Sequence, residues 1–414
     1  MSGAATPTAP FWTATRLNDV ELTAPGPSGP DMLRGAAQMI RDPLGFLGQQ
    51  WLRHGDVVQF PIPDPPTYFV NHPDAVTRIL QGNHKNYGKD TLQYRRLSLL
   101  TGYGLLTADT ELWRRQRPVV QPALGSDLPA RVTGATLAAC RRLNWTAGVH
   151  DVDADILRTT LEVVGEVLFG ADLTGSARQL AEATLQGLEV VVKKSSPLSA
   201  PLWLPTPNNR QLARAKQQLD SAVRELTARP APNGTLFQML QTHADPRTLR
   251  DQVVTFLVAG HETVASALTW SLYLLAQYPT EAPSAQVFDE ALRIYPPAWL
   301  ITRQALAADE LAGVTIPSGA LIIMSPYWLH RHPRAYDNPG SFEPGRPLPR
   351  SAYIPFGAGP RLCIGRGMSL IEGPLILDHL RQRYTFTTVR SVAMKPEVTI
   401  RPTGGMPLNV ALKE

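Results

Sequence analysis

The longest helical pattern in the chain runs from Asp245 to Tyr278, on the order of 50 Å at about 1.5 Å per residue. Pro246 stands at its start and Pro279 ends it. Its middle, V-T-F-L-V-A-G-H-E-T-V-A-S-A-L, is apolar around most of the circumference, so this helix must run through a core. Within that run lie Ala259, Gly260, His261, Glu262 and Thr263. A glycine in a helix interior costs roughly 1 kcal/mol relative to alanine. Close approach of a flat ligand, or a local groove, would explain Gly260. A carboxylate beside a hydroxyl is similarly costly in an apolar helix unless it has a task. For Thr263 taken alone, back-bonding to a carbonyl one turn earlier is the plain alternative. The chain is predominantly helical elsewhere too, with helices expected near 110–122, 128–146, 152–169, 176–193 and 208–228.

The second constraint is Phe356-Gly357-Ala358-Gly359-Pro360-Arg361-Leu362-Cys363-Ile364-Gly365. Gly357, Gly359 and Gly365 permit tight turns and close approach of backbone to something flat and bulky. Cys363 precedes an apolar-periodic run from Met368 to Leu380, so it lies near a helix N-terminus. Free N–H groups and partial positive charge favour a thiolate there. Softness alone allows zinc, copper, an iron–sulfur cluster or haem iron. The chain has two cysteines, Cys140 and Cys363, and no C-x-x-C pair, so a Cys₄ cluster or a structural zinc site lacks ligands. A single thiolate as sole protein ligand fits haem iron. The competing reading, a small buried hydrophobe, is outweighed by the glycines and Arg361 around the sulfur.

F-G-x-G-x-R-x-C-x-G resembles the haem-binding loop of the cytochrome P450 family, and the resemblance extends from about residue 40 to the C-terminus. It implies a mainly α fold, with a long central helix and a small β-sheet region, and haem b ligated by Cys363. Phe356, Gly357, Arg361, Ile364 and Gly365 would then form the cradle. Ala259 to Thr263 match the family's A-G-x-[DE]-T, in which Glu262 and Thr263 relay protons and Ala259 and Gly260 lie against the haem. His261 falls on the variable position and is not assigned to the iron. Trp113 and Arg117 match W-x-x-x-R. They share a helix face, and an indole N–H and a guanidinium suit a haem propionate. Arg303, ten residues after Arg293, and Arg361 match further propionate positions; burial of two carboxylates demands cationic donors. Glu290 and Arg293 form E-x-x-R, which in the family is completed by an arginine such as Arg346 in Phe342-Glu343-Pro344-Gly345-Arg346. Such a network fixes geometry more than it adds stability.

Residues 1–30 are rich in Pro, Ala, Thr and Gly and are expected to lack order, leaving residues 31–414 as one domain. The first 30 residues hold neither a long apolar run nor a charged-then-apolar leader, so neither anchor nor signal peptide is expected. A helix over 43–54 precedes a hairpin of 57–60 with 67–70, and His72-Pro73-Asp74 opens a further helix. A net charge of +5 without a dense Lys/Arg run gives no reason to expect nucleic acid. Two distant cysteines suit a reducing compartment, hence the cytoplasm. The link 194–208 is a loop by its prolines yet carries Leu198, Leu202, Trp203 and Leu204. It either packs on the protein or meets a lipophilic substrate or a bilayer surface. Only 26 residues separate Thr263 from Glu290, fewer than is usual in the family, so the connecting helix must be truncated.

Three stretches, 93–106, 257–270 and 291–300, resemble bacterial monooxygenases that hydroxylate the terminal ring of β-carotene-type carotenoids. The resemblance thus implies O₂-dependent hydroxylation of a lipophilic C–H bond with electrons from a ferredoxin and its reductase. A fatty acid or terpenoid hydroxylase is the alternative. A peroxide-driven enzyme would not need Glu262 and Thr263. Arg114, Arg115 and Arg366 would border the docking face of an acidic redox partner.

Overall fold

The computed structural model describes residues 22–194 and 199–413. In chain order its elements are α1 (Gly29–Arg41), α2 (Pro43–His54), β1 (Val57–Phe60), β2 (Thr67–Val70), α3 (Pro73–Thr77), β3 (Tyr87–Gly88), α4 (Leu92–Thr101), α5 (Thr110–Val120) and α6 (Leu128–Arg142). There follow β4 (Gly148–Asp151), α7 (Val152–Val164), α8 (Ala177–Lys193), α9 (Pro207–Thr227), α10 (Leu236–His243), α11 (Pro246–Gln277) and α12 (Ser284–Ile294). The chain closes with β5 (Ile301–Ala305), β6 (Asp309–Leu311), β7 (Val314–Ile316), β8 (Leu321–Met324), α13 (Pro326–Leu329), α14 (Arg366–Arg383), β9 (Tyr384–Thr388), β10 (Met394–Pro396), β11 (Ile400–Pro402) and β12 (Pro407–Leu412).

Helix α11 organises the body. Its N-cap Asp245 accepts the Arg247 and Thr248 N–H groups, each at 3.0 Å, and Pro246 supplies a pre-set first turn. Of its 32 residues, 22 are buried, as an all-round apolar helix requires. It packs against α4, α7, α9, α10, α12, α14 and β9. By length and hydropathy α11 could also cross a membrane, but 83% of its most apolar window is buried inside the protein. The helix carries one polar stripe. Ser266 Oγ and Trp270 Nε1 both donate to Ile400 O, at 2.7 and 3.0 Å. Thr269 Oγ1 donates to Asp153 Oδ1 at 3.0 Å. The hairpin β10–β11 and helix α7 thus supply partners for these polar groups.

The expected hairpin forms with Val57 opposite Val70 and Phe60 opposite Thr67. It belongs to a five-stranded sheet of order β1-β2-β8-β5-β3, where β2 runs parallel to β8. A three-stranded sheet, β4-β12-β9, lies against the helical body.

Three differences from the sequence expectations have physical causes. Most of the expected disordered start lies outside the described residues, but 22–30 is fixed. Thr23 N and Ala24 N donate to Gln59 Oε1 at 2.6 and 3.1 Å, Gln59 N donates to Pro25 O at 2.9 Å, and α1 begins at Gly29. Between α11 and α12 there is no truncated helix; six residues, 278–283, make the link. Arg381 on α14 staples it, donating to Ala282 O at 2.7 Å, Ser284 Oγ at 3.0 Å and Thr280 O at 2.7 Å. In the 194–208 loop Leu198 lies outside the described residues, while Leu202, Trp203 and Leu204 face solvent, Trp203 being 82% exposed. Packing on the protein therefore does not account for them. Buried Asn209 holds the loop, donating to Pro201 O at 2.7 Å and Leu204 O at 2.6 Å.

Candidate active site

The cysteine loop is shaped by two glycines. Gly357 has φ 70° and Gly359 has φ 68°, conformations an L side chain rarely adopts. A Cβ at Gly359 would also meet Leu80 O at 1.9 Å, so the loop nests on the turn after α3. Gly365 differs from the expectation: its φ is −83°, and a Cβ there would lie 3.9 Å from Cys363 Sγ. Its smallness leaves room beside the sulfur and is not needed for a turn. Cys363 N donates to Phe356 O at 2.9 Å, closing the loop just before α14.

Cys363 is accessible yet closely surrounded by protein, a combination that a cleft or cavity beside the sulfur explains. Burial pushes its thiol up, while the N–H groups of Gly365 and Arg366 and the guanidinium of Arg117 pull it down. Helix position alone therefore does not make the thiolate; those donors would favour it once a cation lies beside the sulfur.

A second mark of the cavity is on α11. Between residues 251 and 275 only Ala259, Gly260 and Thr263 are half-buried rather than buried. These three lie on one helix face. Phe356 and Ile364 of the loop are likewise half-buried. Thr263 Oγ1 donates to Ala259 O at 2.9 Å, which leaves its lone pairs free to accept. Gly260 has a packing reason as well: a Cβ would stand 2.9 Å from Val164 Cγ2 on α7. Glu262 points to the polar stripe, where its Oε1 accepts the Thr399 hydroxyl. Burial raises its carboxyl, Arg401 and Thr399 lower it, and Asp153 and Glu397 raise it further. His261 is buried and donates Nδ1–H to Leu257 O; burial lowers it to about 4, so it is neutral.

Three interior cations converge with no carboxylate bonded to them among the described residues, although Asp109 acts on Arg361 through space. Arg303 donates to Thr302 O at 2.8 Å, Arg361 to Ala108 O at 2.9 Å and Lys89 to Leu106 O. Burial, with the charges of Arg303 and Arg361, drives the Lys89 ammonium well below its ordinary value. Burial, then Arg303, lowers Arg361 to about 10. Arg361 lies over the Trp113 ring at 4.5 Å from its centroid, and Lys89 over Tyr94 at 4.1 Å. Like charges in an interior with so little opposing charge are unfavourable unless a dianion joins them. Lys89 escaped the sequence reading because nothing local marks it; three distant segments create the cluster. Arg117 stands apart from the trio. It donates to Gln121 Oε1 at 2.7 Å and to Leu362 O at 3.2 Å, bracing the residue before the cysteine.

The E-x-x-R network forms. Arg293 donates to both Glu290 carboxylate oxygens at 2.8 Å, and Arg346 Nε lies 3.0 Å from Glu290 Oε1. Arg293 also reaches His330 O at 3.1 Å, Pro339 O at 2.8 Å and Ser341 O at 3.0 Å. His330, not foreseen from sequence, extends the network: its Nδ1 donates to Arg293 O at 3.1 Å and its Nε2 accepts Ile354 N at 2.9 Å. Ile354 opens the segment that leads into the cysteine loop.

Among the described residues no three His, Cys, Asp or Glu side chains are placed to hold a bare metal ion. An accessible sulfur within the protein, a gap on the central helix and a trio of cations bonded to no carboxylate fit a planar dianion that carries its own metal. Those are the demands of a haem–thiolate enzyme. The chain belongs to the cytochrome P450 family, whose model matches residues 49–282 and 284–406, and it is a P450 monooxygenase with a haem iron cofactor. It is 32% identical to cyclooctatin synthase of Streptomyces melanosporofaciens, over 92% of this chain and 93% of that protein. With pentalenene oxygenase of Streptomyces avermitilis the identity is 30%, over 92% and 93%. The crystal structure of CYP175A1 from Thermus thermophilus superposes with a TM-score of 0.81 at 31% identity, over 92% of this chain and 98% of that one.

Proposed function

We propose that this P450 hydroxylates an unactivated C–H bond of an isoprenoid hydrocarbon, the terminal β-ring of a carotenoid, with two electrons from a ferredoxin and its reductase. The observation that carries the reaction class is the accessible Cys363 closely surrounded by protein, paired with the gap at Ala259, Gly260 and Thr263. Bound haem b supplies the oxygen chemistry. Cys363 would ligate its iron, and Lys89, Arg303, Arg361 and Trp113 would receive its propionates. Arg117 braces Leu362 and so holds the sulfur in place. Ala259 and Gly260 leave room for the ring, Phe356 and Ile364 flank the ligand, and Gly365 keeps the space beside Sγ open. Thr263 accepts and passes a proton at its hydroxyl, with Glu262 as the acid behind it.

The carotenoid reading is supported by the stretches 93–106, 257–270 and 291–300. Leu202, Trp203 and Leu204 would dip into a bilayer surface where such a substrate resides, on an otherwise soluble, cytoplasmic enzyme. The names of the two Streptomyces relatives favour a second reading, a smaller cyclic terpene. The test is turnover under ¹⁸O₂ with β-carotene and with a cyclic terpene, each with ferredoxin, reductase and reduced nicotinamide cofactor. One labelled oxygen in a ring-hydroxylated carotenoid supports the proposal. Product from the terpene alone replaces the substrate, and no labelled product from either overturns the reading.

A further inference from the structure

Two buried carboxyl groups feel one guanidinium on the side of α11 that meets α7 and β11, and only one of them is bonded to it. Arg401, on β11, bonds through Nη2 to Asp153 Oδ2 in the first turn of α7. Asp153 Oδ1 also accepts the Thr269 hydroxyl at 3.0 Å. Among the described residues Glu262 receives no guanidinium bond; its partner is Thr399, two residues before Arg401. The other guanidinium nitrogen, Arg401 Nη1, is buried without a hydrogen-bond partner among the described residues. Asp153, Glu262, Thr399 and Arg401 are 8%, 2%, 4% and 5% exposed, so water does not screen these charges.

The surrounding charges do not balance the pair. Glu397 raises Glu262 and is itself in contact with Lys395 at 2.5 Å, and Asp151 raises Asp153. His261 is neutral. Burial raises both carboxyls and Arg401 lowers both. Two buried acids beside one cation retain one proton between them. The geometry says where it resides, because Asp153 holds the guanidinium.

We propose that Asp153 and Arg401 are positioning residues for proton delivery: by retaining the guanidinium, Asp153 leaves Glu262 a neutral acid that still carries its proton, next in sequence to Thr263. This rests on the monooxygenase reading above. When Glu262 gives up its proton, the free Arg401 Nη1 becomes the counter-charge for the carboxylate left behind. A proton from solvent then restores the acid. Without Asp153 the guanidinium passes to Glu262, which becomes a standing carboxylate and can no longer donate.

The test uses the haem-loaded full chain and infrared spectroscopy of carboxylic acid C=O stretches at pH 7. The wild type minus Glu262→Gln spectrum should contain one buried acid band. Glu372, a second buried acid pushed well above the ordinary range by burial, gives a band common to all variants and serves as reference. Asp153→Asn should abolish the Glu262 band and Asp153→Glu should restore it. Product formation in Asp153→Asn should fall by about a hundredfold, the lower end of what a positioned general acid contributes. A Glu262 band that persists in Asp153→Asn overturns the proposal. If Asp153→Asn does not fold, titration of the wild-type band decides: survival to neutral pH supports the proposal, and loss of the band by about pH 5 as pH is raised, as for an ordinary glutamate, overturns it. The ferrous–carbonyl spectrum of the wild type tests the parent reading separately. Loss of its thiolate signature removes that reading whatever the carboxyl bands do, and a normal signature with a persistent band removes only the triad.

Discussion

His330 couples the E-x-x-R network to the segment that carries Cys363, and His330→Phe tests that coupling. The side chain is fully buried, and burial lowers its pKa to about 3. Phenylalanine fills a similar volume but orphans Ile354 N–H and removes a donor from Arg293 O. An orphaned buried group costs about 1–3 kcal/mol, so the variant should lose roughly 2–4 kcal/mol at pH 7. Acid sharpens the test. The folded pKa of about 3 lies below the ordinary value of 6.5, so the unfolded chain binds the proton more readily. The stability contributed by neutral His330 is present above pH about 6.5 and is lost as pH falls toward 3, at roughly 1.4 kcal/mol per pH unit. Between pH 6.5 and 5 the wild type should therefore lose about 2 kcal/mol that the phenylalanine variant does not. His261, also lowered, is common to both proteins and cancels in the comparison. Urea unfolding of the holoenzyme at the two pH values measures the difference, and the ferrous–carbonyl spectrum reports the cysteine loop. A penalty below about 1 kcal/mol, or one that does not change with pH, would refute the reasoning.

Four other outcomes are expected. Cys363→Ser should abolish the strongly red-shifted Soret band of the ferrous–carbonyl protein; a variant that keeps it has another ligand. Thr263→Ala should leave haem and substrate spectra nearly intact while diverting reducing equivalents to hydrogen peroxide, and unchanged coupling of cofactor consumption to product would remove the role assigned to its hydroxyl. Lys89→Met should speed haem transfer to apomyoglobin by about tenfold or more, because a hydrogen bond to a charged group contributes about 1.5–3 kcal/mol; an unchanged rate would mean that the lysine serves something other than the propionates. Charge reversal of the exposed Arg114 and Arg115 to Glu should raise the KM for ferredoxin and flatten its salt dependence without altering substrate-binding spectra, whereas wild-type kinetics indifferent to ionic strength would count against docking there.

The elements that sequence reveals here are those set by neighbours in the chain. Helix α2 and both strands of the first hairpin have the expected bounds because Pro43, the proline-rich turn and Pro73 punctuate them locally. The Glu290–Arg293 pair is legible because its motif is contiguous, and the same contiguity marks Cys363 and Thr263 as candidates. What eluded the sequence is set by distant contacts. Lys89 gains meaning from Arg303 and Arg361, Arg117 turns to Leu362 O, and Gly260 is small partly because Val164 lies across from it. The direction of Glu262 could not be read either. One residue of helix rotation separates it from Thr263, and only the β10–β11 hairpin, more than a hundred residues later, determines what it faces.

The short link stapled by Arg381 has a mechanical consequence. Arg381 stands on the helix that starts just after Cys363, and its guanidinium grips the turn that immediately follows α11. The C-terminal end of the central helix and the ligand helix are therefore clamped into one frame by that guanidinium. A bulky guest cannot open the protein from that end. Room for it must come from elsewhere, such as the exposed loop bearing Trp203, which buried Asn209 tethers at the start of α9.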